Sequence, residues 1–146
     1  MGLDMFLYSK RFFWHDEDAL KQAVASAVPN APGEPNELRV EVMYWRKANH
    51  IHQWFVEHVQ DGVDNCGTYY VSKKKLVELV NLCKKVLAER QLASTALPTQ
   101  GGFFFGSTAY DESYFQDCQE TIKKLSPVVK QFDRFKNWTF EYHSSW

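Results

Sequence analysis

Long apolar runs, paired cysteines and an excess of either charge are all missing from this chain of 146 residues. No stretch approaches the ~18 consecutive apolar residues of a membrane span, so no membrane partner is expected. Asp4 interrupts Leu3 to Leu7 and no basic lead-in precedes it, which argues against a signal peptide. Phe6 stands where a myristoylation signal needs Ser or Thr. A net charge of −1 gives no global attraction to nucleic acid or anionic lipid, though a local basic patch stays open. The three cysteines, Cys66, Cys83 and Cys118, are odd in number and widely spaced, with no Cys-x-x-Cys pair. They predict reduced thiols and a reducing, cytoplasmic setting. There is no internal repeat and no low-complexity segment.

Aromatic residues, by contrast, are plentiful at 16% of the chain. Such rings can fill a core and leave some faces exposed for contact. The length suits one domain, residues 1–146.

Leu3, Met5 and Leu7 alternate with Asp4, Phe6 and Tyr8, predicting a first strand over 3–13 with one dry face. A short helix over 17–28 follows, capped by Asp16, and Pro29 stops it. Residues 29–36 read as a loop, 38–44 as a second strand, and 46–60 as a central helix. A short strand over 68–71 precedes a long amphipathic helix over 73–90, with Ser72 as its cap. Lys73, Lys74 and Lys75 read as a solvated face or as an anion patch. Residues 91–110 form an unusual loop in which glycines bracket Phe103, Phe104 and Phe105. If that segment is extended, Phe103 and Phe105 share a face, at least one ring reaches the core, and Phe104 or a flanking glycine borders a pocket. Asp111 caps a helix over 112–125, and Pro127 either kinks it or starts a second segment. Trp138, Phe140 and Tyr142 alternate in a closing strand. The expected fold is α+β: a small, mostly antiparallel sheet with three to four packed helices, both chain ends lying in the sheet.

The richest stretch runs from Tyr44 to Val59. Ala48, Ile51, Phe55 and Val59 form an apolar stripe at helical spacing, and Arg46, Asn49, His50 and Gln53 form a polar stripe beside it. Arg46 and Lys47 in a first helical turn oppose the dipole unless an anion answers them or a neighbouring Asp or Glu pairs with them. Tyr44 and Trp45 offer flat surfaces for a planar group. Metal binding is not expected: His50 and His52 point about 200° apart on a helix, and His50 and His58 lie about 12 Å apart along it. Cys66 is a weak candidate nucleophile, and Cys83 and Cys118 fall on apolar helix faces. The loop Gln100 to Thr108 matches neither the dinucleotide fingerprint nor the P-loop, so it reads as a structural turn or a modest phosphate cradle.

Three blocks resemble a family of small proteins carried by tailed bacteriophages and prophages. They are the opening Met-Gly-Leu-Asp-Met-Phe-Leu-Tyr, the segment Tyr44-Trp45-Arg46-Lys47-Ala48-Asn49 with Ile51-His52-x-Trp54-Phe55-Val56, and Pro98-Thr99-Gln100-x-Gly102-Phe103-Phe104-Phe105-Gly106-Ser107-Thr108-x-Tyr110-Asp111. The resemblance covers nearly the whole chain. It implies a phage accessory protein acting in the cytoplasm of an infected bacterial host, and it transfers no catalytic residues. Small phage proteins often counter bacterial immunity by sequestering a nucleotide signal or blocking a defence protein.

The expected function is therefore binding of an anionic, nucleotide-like ligand, or of the acidic surface of a host defence protein. The ligand-binding candidates are Tyr44, Trp45, Arg46, Asn49, His50, Gln100, Phe104 and Ser107, with the 100–108 loop closing over the ligand. No cofactor or metal is expected, nucleic acid is not an expected partner, and a homo-oligomer stays open. The alternative is an enzyme acting on a nucleotide or related phosphate compound, with His50 or His52 as general base and Arg46 stabilising charge.

Overall fold

A computed structural model describes residues 2–146; Met1, the first residue of the expected domain, lies outside them. The described residues form four strands and five helices: β1 Asp4–Phe12, α1 Ala19–Ala27, β2 Glu37–Arg46, α2 Asn49–His58, β3 Thr68–Val71, α3 Lys73–Ala88, α4 Ala93–Ala96, α5 Glu112–Lys130 and β4 Thr139–Ser145. The strands make one antiparallel sheet in the order β2-β1-β4-β3. This is the single α+β domain that the patterning predicts, with β1 and β4 paired at its centre.

Alternation in the strands sets which face is covered. Leu3, Met5 and Leu7, Met43 and Trp45 of β2, and Phe140 and Tyr142 of β4 are buried under the helices. Ile51 and Phe55 of α2 meet them, and the Phe55 ring stacks on Tyr142 at 3.9 Å. α3 supplies Leu76, Leu79, Val80, Cys83 and Val86, and α5 supplies Tyr114, Phe115, Cys118 and Leu125. The central alternation of β1, α2 and β4 was thus readable from side-chain period alone.

Element ends depart from the expectation in four places. The first helix is capped by Asp18, whose carboxylate accepts from Leu20 N at 2.9 Å, while Asp16 pairs with Lys21 instead. That helix buries none of its residues. The central helix begins at Asn49, not at 46, because β2 continues to Arg46 opposite Asp4 and Lys47 then turns the chain at φ 57°. The expected loop 91–110 contains a 3₁₀ turn at Arg90–Leu92 and the short α4. Finally, α5 runs past its expected end at 125, through Pro127 to Lys130, so the proline does not start a second segment. Among the described residues no helix is long and apolar enough to cross a membrane.

Candidate functional site

Arg46 closes β2, Lys47 makes the left-handed turn, and Asn49 and His50 open α2. The four fall together because the strand's last pairing hands the chain straight to the helix: Lys47 N donates to Leu3 O at 2.8 Å, and Asn49 N to Lys47 O at 2.9 Å. A left-handed conformation is uncommon for a residue with a Cβ, and it concentrates at functional positions.

Asn49 is buried and holds the glycine-rich loop. Its Nδ2 donates to Phe105 O at 2.9 Å and to Ser107 O at 2.8 Å, and its Oδ1 accepts from Gln100 N at 3.0 Å. Both amide hydrogens are thereby committed to the protein's own backbone. The loop is tied a second time by Leu3 N, which donates to Phe104 O at 2.9 Å. Phe105 N donates to Gly102 O at 3.1 Å, so the phenylalanines sit on a turn. This overturns the expected shared face: Phe105 is 8% exposed and packs edge-on to His52, whereas Phe103 is 95% exposed. Gly106 adopts φ +84°, and a Cβ there would lie 3.1 Å from Lys47 Cβ, so the lysine stem rests directly against the glycine.

Arg46, Lys47, His50 and the Gly106–Ser107 backbone meet around one cleft of about 180 Å³, closed on the far side by Thr99, Asp111, Ser113, Tyr114 and Asp117. His50 forms its inner wall. It is 3% exposed, its ring lies 4.0 Å from that of Tyr114, and its Nε2 has no hydrogen-bond partner among the described residues. Burial pushes its pKa down to about 3, so the imidazole is neutral near pH 7 and offers a hydrogen bond without charge. Arg46 at the rim is half exposed and pairs with Asp4 at 3.2 Å, while Tyr44 also donates to Asp4. Burial, followed by the Asp111 charge, raises the Asp117 carboxyl to about 7. Asp111 caps α5 by accepting from Tyr114 N at 3.2 Å.

Tyr44, Trp45 and Arg46 line an adjoining cleft along β2, which shares Arg46 and Asp117 with the first. Of the sequence candidates, Arg46, His50 and Ser107 therefore border the inner cleft, and Tyr44 and Trp45 border its neighbour. Asn49 and Phe104 anchor the loop behind it, and the exposed Gln100 joins through its backbone N–H. Thr99, Tyr114 and Asp117 carry no sequence reading as site residues, and Lys47, read beside Arg46 as a cation that an anion could answer, is absent from the ligand-binding candidates. Lys47 stood in the right stretch, but Asp117 carries no sequence signal because it reads as one more polar residue of an amphipathic helix.

His52 lies outside the cleft. Its Nδ1 meets the Tyr142 hydroxyl at 2.7 Å and its Nε2 meets Asp64 at 2.9 Å, leaving neither nitrogen open to a substrate. Among the described residues, no cluster of three or more His, Cys, Asp or Glu side chains is placed to hold a metal ion. Compared with protein-family models, curated proteins and solved structures, the chain matches none.

Proposed function

We propose that this is a binding protein for a small anionic ligand, a nucleotide-like molecule whose phosphate sits in the inner cleft. The observation that carries the reading is His50, which lines the same cleft as Arg46 and Lys47 and whose buried Nε2 has no hydrogen-bond partner among the described residues. A buried polar group left unpaired costs about 1–3 kcal/mol, which a ligand oxygen would recover. Arg46 and Lys47 supply charge, and the Ser107 hydroxyl, which already accepts from Ala109 N, retains its own hydrogen to donate. Tyr44 beside Arg46 offers a ring for a base. With the resemblance to phage accessory proteins, this supports sequestration of a nucleotide signal as a counter-defence role in an infected bacterium.

A second reading, catalysis on the same class of compound, is favoured by one observation: a carboxyl poised at about 7 faces the cleft. In that reading Asp117, not His50 or His52, moves the proton, since a histidine held near 3 is too weak a base to retain one. Incubation with a nucleotide panel separates the two. A nucleotide recovered intact after denaturation, with binding weakened roughly 10- to 150-fold by Arg46→Ala, supports the binding protein. Turnover abolished by Asp117→Asn supports the enzyme. No retention and no turnover would remove both readings.

A further inference from the structure

Three cavities adjoin in series, each sharing lining residues with the next. The His50 cleft shares Arg46 and Asp117 with the adjoining cleft of about 420 Å³, whose walls also include Glu41, Glu120 and Lys124. That cleft shares Val42 with an apolar pocket of about 110 Å³ that lies over Ser9 of β1 and Phe140 of β4, between Val40, Val128, Phe135 and Trp138. One wall throughout is β2. The other is α5, whose Ser113, Asp117, Glu120, Lys124 and Val128 recur every three or four residues and so share a face. Trp45 Nε1 donates to Thr121 Oγ1 at 2.8 Å and locks strand to helix beneath the groove.

β2 is an outer strand, paired among the described residues with β1 alone. Such a strand turns the N–H and C=O of alternate residues away from its sheet, where another extended chain can pair with them. The groove beside it is open, polar in the middle and apolar at one end. Strands in this position flanked by a helix are a recurrent way to recognise peptides, with main-chain bonds giving affinity and alternate side-chain pockets giving selectivity.

We propose that the groove takes an extended segment of a partner protein, added alongside β2 as a fifth strand. A carboxylate at one end sits against Arg46 and Lys47, a basic side chain lies at the middle, and an apolar side chain enters the pocket at Trp138. The dimensions agree. Val40 to Arg46 spans roughly 20 Å as strand, and Ser113 to Val128 spans roughly 22 Å as helix, the length of six or seven extended residues. Charge agrees as well: Glu41 and Glu120, joined by Asp117 once it ionises near pH 7, stand against Lys124, while the cleft's other cation, Arg46, is paired with Asp4, so that section suits a cation. The register shift between Leu7 and Tyr8 leaves Val42 as a bulge, which bends the edge. Ladder bonds are therefore expected over Met43 to Arg46, with side-chain contacts beyond. This inference rests on the anion reading of the inner cleft and departs from it by making a polypeptide the carrier of the anion.

The test is a synthetic heptapeptide library with free carboxyl termini, screened against the full chain, with binders remade in amidated form. Enriched peptides should carry an acidic end, a basic middle and an apolar far end, and should shift the amide resonances of β2. Lys47→Glu should weaken them at least tenfold, equivalent to ~1.4 kcal/mol. Glu120→Lys, at the helix surface, should switch the preferred middle residue from basic to acidic, an effect that loss of folding would not produce. Amidation that weakens binding assigns the carboxylate to the peptide terminus; indifference to amidation with dependence on an Asp or Glu assigns it to a side chain. Enriched peptides that leave β2 unshifted, or an absence of enrichment, overturn the proposal. If inorganic phosphate still perturbs His50 in that case, the anion reading stands without the peptide; if it does not, both fall.

Discussion

Asn49→Ala probes the contact that shapes the cleft. The substitution removes two bonds to carbonyls, of Phe105 and Ser107, and one from Gln100 N. Each such bond contributes about 0.5–1.5 kcal/mol net, and a carbonyl stranded in the interior costs more. Ser107 and Gln100 are exposed and can turn to water, but Phe105 is buried, so only one partner is left stranded. The sum is about 2–4 kcal/mol, a large part of the ~5–15 kcal/mol that stabilises a typical domain. For a chain of this size it should lower Tm by roughly 5–15 °C. Circular-dichroism melts measure the loss, and limited proteolysis locates it, with new cleavage expected between Gly101 and Thr108. Asn49→Asp should be at least as damaging, because it turns a donor of two bonds into an acceptor facing two carbonyls. A variant that melts within about 2 °C of the parent with an unchanged cleavage pattern would refute the reasoning. The loop would then be held by Phe105 and the tie to Leu3 alone.

Phe55→Ala should cost about 3–5 kcal/mol in urea unfolding, since the ring is fully buried between Tyr142, Trp45 and Trp54. Gly106→Ala should destabilise by about 1–2 kcal/mol and displace Lys47, because φ is +84° and the new methyl meets the lysine stem; a neutral result would mean the loop shifts freely. The pH dependence divides between two groups. The folded pKa of His50 lies below its unfolded value, so its contribution is complete above 6.5 and lost as pH falls from 6.5 towards about 3. The folded pKa of Asp117 lies above its unfolded value of 3.8, so its contribution is present below 3.8 and lost as pH rises to about 7. His50→Gln should therefore flatten the acid side of the stability profile and Asp117→Asn the side between 4 and 7, read from urea midpoints across pH; unchanged profiles would contradict the burial of both groups.

How much of this was legible in the sequence depended on whether a residue's neighbours were local. The β1 and β4 alternations and the Ile51–Phe55 stripe follow from side-chain period, and the caps of α3 and α5, Ser72 and Asp111, follow from side-chain chemistry. The start of α2 did not. Tyr44 to Arg46 suits either a strand or a helical first turn, and pairing with β1, distant in sequence, decided for the strand. The same holds for the cap at Asp18 over Asp16: both are aspartates, and Arg11 of the neighbouring strand draws in the former at 2.9 Å. The phenylalanine triplet does not alternate faces as an extended segment would, because a Gly102–Phe105 turn forms there, and no local pattern marks that turn. At the candidate site, Arg46, His50 and Ser107 could be singled out as unusual residue types in unusual places. Asp117 could not, since its raised pKa arises from burial beside Asp111 in the folded state, which no local pattern encodes.

The central claim, that the inner cleft holds an anion between the two cations and His50, is tested most directly by titrating inorganic phosphate into protein with ¹⁵N-labelled histidine. At constant pH, a saturable shift of the His50 ring-nitrogen resonances is expected, with His52 unmoved because both of its nitrogens are engaged by Tyr142 and Asp64. The shift should be lost in the Arg46→Ala, Lys47→Ala double variant, whose fold a melt would verify. A His50 resonance that stays fixed throughout the titration, or that moves equally in the double variant, would mean that the cleft holds no anion at these residues.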